Sequence, residues 1–398
     1  MAQQTLINGE TYGSHREKLN TMLAELYGTT GNVRRVELTG NSTTDTALLI
    51  DAIGTAGRSV EILTPGTFSV DDTLLLDSGV TFYSNVDVTL KSSAGINRPV
   101  LKNKDRVSGN SKFKIAGIVF DGNKAQQTTA FSTVDLLLCS EFLIDDIDVR
   151  NALRTGTFPT VSSDGEGLIL RQCTHGNVTN SRSRSNTYDG FGTRQCQHIT
   201  FTNIHSVDDG RSGIQIKATN NDFAFRSSYI TVNGLLVEHS TGTPDAPCPT
   251  TAGIYLHAAT FCTVSNVIAV GTRQGMGGYD GCQDNMFSNM VLRTRAFAGD
   301  SALFLQTGGA NLNSRNFFNN IKIRGLSGAA GSLLLLDASA FTNEFTNISA
   351  AAGDGTGTWT MTLGTGSTSN IVQGTRASAN TSFADTGSTN TSTGLRAV

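Results

Sequence analysis

Four acidic residues near the middle of the chain have the types and the spacing for acid–base chemistry. Glu166 and Asp189 each precede a glycine and lie 23 residues apart, and Asp208 and Asp209 follow within one further repeat. Cleavage of a glycosidic bond uses two carboxyl groups, about 5–5.5 Å apart for retention of configuration and about 6.5–9.5 Å for inversion. If successive repeats stack, Glu166 and Asp189 form the close pair, and Asp189 with Asp208 or Asp209 the wider one. Asp-Gly is also ordinary turn chemistry, so plain turns remain the alternative.

A column of cations accompanies the acids. Counting four residues on from successive glycines gives Arg171, Arg194, Lys217 and His257, and alternation along a strand predicts that all four point outward. Such a column suits an acidic polysaccharide. Tyr188 and Tyr255 would supply ring faces for sugars. The histidines are too scattered for a metal site, and no metal or cofactor is predicted.

The elements that must position these side chains come from an internal repeat. Short apolar strands flank a small polar pivot, which recurs every 23 to 34 residues at Gly117, Asp146, Asn180, Asn203, Gly234, Asn266, Asn289, Asn320 and Asn347. A second set of strands lies between these copies and begins at Gly167, Gly190, Gly213, Gly253, Ala302 and Leu333. Asparagines that point inward at a tight turn are expected to form a ladder from coil to coil.

Strands with a period near 23 predict an all-β fold, a right-handed parallel β-helix with about 23–34 residues per coil. Its coils stack at the parallel-strand spacing of about 4.8 Å. A β-propeller needs four strands per blade and a period of about 40 residues, so the period disfavours it.

Composition excludes several other classes of protein. Only 16% of the residues are charged and the formal net charge is −3, so a nucleic-acid-binding protein is not expected. The 43 glycines, with abundant Ser, Thr and Asn, suit a chain with many tight turns and exclude a helix bundle. No apolar stretch is long enough to span a membrane, and no signal peptide is recognised. The cysteines show no metal-ligand spacing and are predicted to be buried and reduced.

The N-terminal segment predicts a separate element. Ser14 and Glu17 form a capping box, and Leu19, Met22 and Leu23 share one helical face. Residues 1–30 are therefore predicted to be an amphipathic helix, either a cap or a docking or trimer-forming element. Residues 31–355 are assigned to the β-helix and residues 356–398 to a Gly-, Ser- and Thr-rich C-terminal strand and tail. The helix resembles the adaptor helices of phage tail and baseplate proteins.

The entry to the repeat carries a second resemblance. A helix with Leu48, Leu49, Ala52 and Ile53 on one face follows a first strand, and the turn Pro65-Gly66-Thr67-Phe68 precedes the next coil. This order resembles the start of pectate-lyase-like β-helix proteins, including phage tailspikes, in which a short helix caps the open end. The resemblance implies a right-handed β-helix.

A third resemblance concerns the acids. The run NTYDGF, followed by VDDGRSGIQIK, is similar to the core of the polygalacturonase family, which implies catalytic roles for Asp189, Asp208 and Asp209. This sequence departs from that family by the inserted Tyr188 and by the lack of Gly-His-Gly. The family's Arg-Ile-Lys is echoed only by Gln215-Ile216-Lys217.

Together these features favour a phage tailspike, a homotrimeric virion protein that binds and cleaves a capsule or lipopolysaccharide by glycoside hydrolysis. Its N-terminal helix would dock on a virion adaptor protein, with no nucleic acid and no membrane insertion. The first alternative is a non-catalytic virion fibre, decoration protein or receptor-binding protein that uses the fold as a rigid scaffold. The second is a polysaccharide lyase in which Arg194 or Lys217 removes a proton.

Overall fold

The computed structural model describes most of the chain from residue 33 onward. Its described ranges are 33–155, 164–218, 226–240, 252–294, 301–306, 313–325, 331–336, 340–351, 359–364, 367–374, 376–377, 381–385, 388–393 and 396–397. The helix predicted within residues 1–30 lies outside these ranges. Among the described residues, no helix is long and apolar enough to cross a membrane.

Two parallel sheets make up the described part of the chain. The first contains nineteen strands: β1 Val33–Val36, β2 Ser59–Ile62, β3 Gly66–Val70, β5 Thr81–Ser92, β7 Lys114–Asp121, β9 Ser140–Asp145, β10 Asp148–Arg150, β12 Thr174–Thr179, β13 Arg182–Arg184, β15 Gln197–Val207, β17 Thr231–Glu238, β19 Thr263–Val270, β21 Met286–Thr294, β24 Phe317–Gly325, β27 Glu344–Ala351, β29 Ile371–Gln373, β30 Arg376–Ala377, β32 Thr391–Thr393 and β33 Arg396–Ala397.

The second sheet closes the other side of each coil. Its twelve strands within the described ranges are β4 Leu74–Leu76, β6 Leu101–Asn103, β8 Val134–Leu137, β11 Leu168–Arg171, β14 Phe191–Arg194, β16 Ser212–Lys217, β18 Ala252–His257, β20 Gln274–Tyr279, β22 Ser301–Gln306, β25 Gly331–Leu336, β28 Trp359–Leu363 and β31 Thr381–Asp385. A small pair joins β23 Asn313–Ser314 to β26 Ala340–Phe341, and a 3-10 turn spans Lys124–Gln126.

The coils stack in the predicted register. Leu168 of β11 pairs with Phe191 of β14, and Phe191 pairs with Ile214 of β16, so each partner is 23 residues further along the chain. Every pair of neighbouring strands in the two sheets is parallel, which requires the chain to cross from one sheet to the other in each coil. The predicted parallel β-helix is confirmed, and the strands from Trp359 onward continue both sheets.

The polar pivots bend the long strands, and the asparagines among them lie on the outside of the solenoid. All nine pivots have positive φ, between 49° at Asn180 and 76° at Gly234, which is the left-handed region that glycine and asparagine tolerate. Asn180, Asn203, Asn266 and Asn289 are exposed. Their amides bond from coil to coil on the outside, as between Asn203 and Asn180 at 3.4 Å. The pivot asparagines therefore form an outer ladder, because a left-handed residue at a convex bend projects its Cβ into solvent.

A different set of asparagines forms the inner ladder. Each amide nitrogen donates to the amide oxygen one coil further on, and that oxygen also accepts a backbone N–H, through Asn285, Asn316, Asn343, Asn370 and Asn390. These side chains satisfy the backbone at a turn that lies inside the solenoid. Beside them Phe287, Phe318 and Phe345 stack at 4.6 and 4.5 Å between ring centroids in the core.

A single described α-helix, α1 Ser42–Ile53, covers one end of the solenoid. Its N-cap is Asn41, whose side chain accepts the Thr44 N–H at 3.0 Å. Leu49 and Ile53 are fully buried and join the core, and the helix packs on β3 and β4. The predicted capping helix is confirmed.

Candidate functional site

The predicted site lies on the outer surface of the second sheet. Along β11, β14, β16 and β18, successive side chains alternate between the core and this surface. In β11, Leu168 and Leu170 lie in the core, whereas Arg171 at the end of the strand lies on the outer side. Strand pairing aligns the predicted cations in one row, Arg171, Arg194, Lys217 and His257. A second outward row contains Ile169, Gly192, Gln215 and Tyr255.

Glu166 lies beside this surface in a fully buried position. Its carboxylate accepts a hydrogen bond from the Ser132 hydroxyl at 2.7 Å and forms an ion pair with the Arg194 guanidinium. Arg194 is only 3% exposed, so neither charge is solvated. The ion pair and the hydrogen bond offset the cost of burying this carboxylate.

Asp189 occupies the equivalent place one coil further on and is also fully buried. Burial raises the pKa of its carboxyl to about 8, and the nearby charge of Glu166 adds to the rise. Asp189 therefore carries a proton at neutral pH. Adjacent coils thus present a carboxyl group with a raised pKa beside one that is paired with a guanidinium, an arrangement that acid–base catalysis can use.

Arg211, which the sequence reasoning did not select, organises one side of the pair. Its guanidinium lies 3.9 Å from the Asp189 carboxylate, donates to the Tyr188 hydroxyl and sits 4.3 Å from the centre of the Tyr255 ring. With its amide oriented to satisfy both neighbours, Gln215 donates to Asp189 at 3.1 Å and accepts from Arg211 at 2.8 Å. The signal was present in the register, because Arg211 precedes its glycine by two residues, as Tyr188 does one coil below.

The aromatic residues of the site hold cations in this structure. Tyr188 is 3% exposed, and the guanidinium carbons of Arg154 and Arg211 lie 4.1 and 4.7 Å from its ring centre. Tyr188 consequently has no open face for a sugar, because cation–π contacts occupy it. Tyr255 is half-buried and stacks on Tyr279 at 6.1 Å.

The cation column is not uniformly available either. Arg171 is bound by Asp135 at 3.2 Å and by Asp164 at 2.5 Å, and His257 lies 3.3 Å from Asp280. Burial, together with the nearby charge of Arg194, lowers the pKa of Lys217 to about 7. Lys217 is thus an amine that exchanges its proton near neutral pH.

The structure does not favour the wider acid pair, Asp189 with Asp208 or Asp209. Asp209 is buried, but both its oxygens are saturated: Oδ2 accepts from Ser183 and Ser206 at 2.5 and 2.7 Å, and Oδ1 accepts from the backbone and side chain of Asn186 at 3.0 and 2.8 Å. Asp208 has φ 51° and accepts the backbone N–H of Ser240 at 2.6 Å at the end of β15. Both residues hold turns, so the structure leaves no free oxygen on Asp209 for a substrate.

Other candidate features lie elsewhere or are absent from the described residues. A surface depression between the coils of the first sheet is lined by Asp87, Gly117, Asp146, Asp148 and Arg182 among others, on a different side of the solenoid from Glu166. In the described ranges no group of three or more His, Cys, Asp and Glu residues is arranged to hold a metal ion.

Comparison with known proteins rests on the fold. No protein-family model and no curated protein sequence matches the chain. An N-terminal fragment of bacteriophage phi29 gene product 12 superposes with a TM-score of 0.61 at 14% identity, over 97% of this chain and 73% of that one. The chain is a right-handed parallel β-helix. The A-module of a mannuronan C-5 epimerase from Azotobacter vinelandii shares this β-helix with a TM-score of 0.56, 14% identity and coverage of 94% and 98%.

A third structure of the same kind comes from an enzyme. The hyperthermoactive exopolygalacturonase from Thermotoga maritima matches with a TM-score of 0.55 at 11% identity, over 87% of both chains. At such identities these likenesses establish the β-helix and leave its chemistry to be argued from the site.

Proposed function

We propose that this β-helix is a phage tailspike that binds a bacterial surface polysaccharide and hydrolyses it with Glu166 and Asp189. One observation carries the proposal: two buried carboxyl groups lie at equivalent positions on adjacent coils, Asp189 with its pKa raised to about 8 and Glu166 paired with Arg194, in a surround of cations and tyrosines. The proposal is supported by the kinds of protein that share the fold: a bacteriophage gene product, a mannuronan epimerase and an exopolygalacturonase.

In the proposed reaction, Asp189 donates its proton to the glycosidic oxygen as the bond to the anomeric carbon breaks. The Glu166 carboxylate attacks that carbon, and water then releases the sugar while Asp189 acts as base. Backbones of adjacent coils are about 4.8 Å apart, close to the carboxyl separation of retaining enzymes. The proposal therefore includes retention of configuration. Lys217 and Tyr255 are assigned to substrate binding, with Arg171, Arg194 and His257 holding the surrounding charges.

The complete burial of both carboxyl groups favours a second candidate, a non-catalytic receptor-binding fibre. In that case Glu166 and Arg194 are a structural ion pair, and the sugar would contact only the surface around them. A polysaccharide lyase is favoured by a different observation, the lowered pKa of Lys217. Its neutral amine is the base in that reaction, because the Arg194 guanidinium does not lose its proton in proteins.

Assembly forms the remaining part of the proposal. Residues 1–30 dock the protein on a virion adaptor, and three copies of the chain associate. Light scattering of the purified full chain is expected to give the mass of three chains, and removal of residues 1–30 is expected to abolish incorporation into the particle.

The decisive experiment measures reducing ends released from purified capsule and lipopolysaccharide of candidate hosts. We expect Glu166→Gln and Asp189→Asn each to lower the rate by at least about a hundredfold, the range attributed to a positioned acid or base. Asp208→Asn makes the same chemical change at a turn position and is expected to keep the wild-type rate. Full activity of Glu166→Gln would refute the site, and release of unsaturated uronates would identify the lyase.

The stereochemistry of the first product separates the two hydrolytic arrangements. We expect proton NMR of the fresh digest to show the anomer of the substrate. The opposite anomer would require a wider pair than Glu166 and Asp189.

A further inference from the structure

Four stacked rings form a ridge on the outside of the solenoid, where each coil turns from the second sheet into the first. The aromatic ridge consists of His175, His198, Tyr229 and Phe261, one from each of four successive coils. Neighbouring ring centroids are 4.9, 4.9 and 5.3 Å apart, with interplanar angles of 16°, 5° and 10°. Tyr229 and Phe261 are each 49% exposed, and both histidines are exposed as well.

The backbone pays a conformational cost to present these rings. All four residues have φ between 53° and 55°, a left-handed conformation that is uncommon for bulky side chains. The same ladder position on other coils is held by Glu141, Asp284 and Thr342, so the fold does not demand a ring there. Four consecutive aromatic residues at this exposed position are a feature of this sequence, and the core has no use for them.

The rings leave part of their faces open. Aromatic carbons in contact are about 3.5–4.0 Å apart, while these centroids are separated by 4.9–5.3 Å, so nearly parallel rings are offset like steps. Each step exposes a flat apolar strip together with a polar edge on His175, His198 and Tyr229. Flat apolar faces bordered by hydrogen-bonding groups are the surface that a pyranose ring fits.

The aromatic ridge runs beside the predicted cation row on the same four coils. Three of the rings come four residues after a member of that row: His175 after Arg171, His198 after Arg194, and Phe261 after His257. Tyr229 follows Lys217 in the remaining coil. Both rows advance by one coil, about 4.8 Å, a step similar to one sugar in an extended glycan.

We propose that the aromatic ridge is a second binding surface for the polysaccharide, on which the chain lies parallel to the solenoid axis. This inference rests on the proposed function and extends it from the cleaved bond to the flanking sugars. A protein partner is the less suitable occupant, because the ridge is one residue wide and bordered by ion pairs and glutamines. Below the ridge, Lys112 and Glu141 form an ion pair with 4.0 Å between their charged atoms. Above it, Asp284 and Arg315 form another, at 2.7 Å. Stable protein interfaces need a broader apolar area.

The test removes two rings while keeping the backbone. Asparagine tolerates the left-handed conformation, so Tyr229→Asn with Phe261→Asn deletes the faces at low conformational cost. Thr342→Asn makes the matched change at the same ladder position, where φ is 52°. Affinity for long host polysaccharide is measured in the Glu166→Gln background by affinity electrophoresis, and cleavage of short oligosaccharides in the wild-type background.

We expect the double variant to bind long polysaccharide at least about tenfold more weakly. Each aromatic contact contributes part of the binding free energy, and the loss of two such contacts together corresponds to about that change in affinity. Its rate on short oligosaccharides and its melting temperature should match those of Thr342→Asn. Unchanged affinity would overturn the proposal, as would a changed molecular mass, which would make the ridge an interface between chains. Weaker binding by the double variant alongside full cleavage by Glu166→Gln would keep the ridge and refute the acid pair. Absence of wild-type binding to every host polysaccharide would overturn both.

Discussion

Asp189 shows how one position in a repeat acquires a distinct chemistry. Its equivalents on adjacent coils are Glu166 and Ser212, and all three are buried. Glu166 has Arg194 and Ser132 as direct partners, whereas the guanidinium nearest to Asp189 is the more distant Arg211, and the amide of Gln215 donates to it. The two carboxyl groups are equally buried and differ in their partners.

The raised pKa of Asp189 predicts a specific dependence of stability on pH. Its carboxyl titrates near 3.8 when unfolded and at about 8 when folded, so between these values only the folded chain holds the proton. The free energy of unfolding therefore falls as pH rises through this window, by at most about 1.4 kcal/mol per pH unit from this group. Asp189→Asn should remove that contribution. Urea denaturation of wild type and variant at pH 5 and pH 7 measures it, and an equal fall in both proteins would contradict the assigned protonation.

At the scale of elements, the turns decide which side chains reach the interior. The pivots bend outward and expose their asparagines, while the turn at Asn285, Asn316 and Asn343 lies inside and buries them. Each inner asparagine accepts from one coil and donates to another, so the ladder links the coils in series.

Asn316→Ala is predicted to destabilise the fold through its neighbours. The Asn285 backbone N–H donates to the Asn316 amide at 3.2 Å and would be left buried without an acceptor. An unsatisfied buried group costs about 1–3 kcal/mol, and the loss of three further hydrogen bonds of the Asn316 amide adds to it. Asn177→Ala, on the exposed surface of β12, is the control and should change the unfolding free energy by less than about 0.5 kcal/mol. A similar fall in the free energy of unfolding of both variants would show that the inner ladder does not stabilise the fold more than an exposed asparagine does.

At the scale of the whole molecule, the strands of each described coil pair only with strands of the coils next to it, although a few long side chains such as Lys124 reach a second coil. The second sheet stacks twelve strands in the described ranges, which at about 4.8 Å per step gives a rise of about 53 Å. Such a rod exposes its core only at its ends, and α1 covers one of them.

Removing the cap's main apolar contact should therefore act locally. Leu49 is fully buried, and Leu49→Ala is expected to cost about 2–5 kcal/mol. Hydrogen exchange should increase first in β1 to β4 and last in β24 and β27, because a solenoid transmits instability through neighbours. Thr44→Ala, an exposed change in the same helix, is the control. Uniform acceleration along the chain would mean that the coils unfold as one unit.

The sequence by itself determined the β-helix, the capping helix and the register. Periodic glycines and pivots encode a local geometry that repeats, so counting residues aligned Arg171, Arg194, Lys217 and His257 without any structure. The same counting aligned Glu166 with Asp189.

Only the tertiary structure decided the direction and the partners of the side chains. Asp209 lies in the predicted register, yet its oxygens accept one hydrogen bond from Ser206 of its own turn and three from Ser183 and Asn186 of the preceding coil. Only the structure shows that the inner asparagine ladder runs through Asn285 and its equivalents, and that Arg211 lies beside Asp189. Period specifies which residues are neighbours, but a turn's handedness and the packing around it fix whether each side chain faces the core or the solvent.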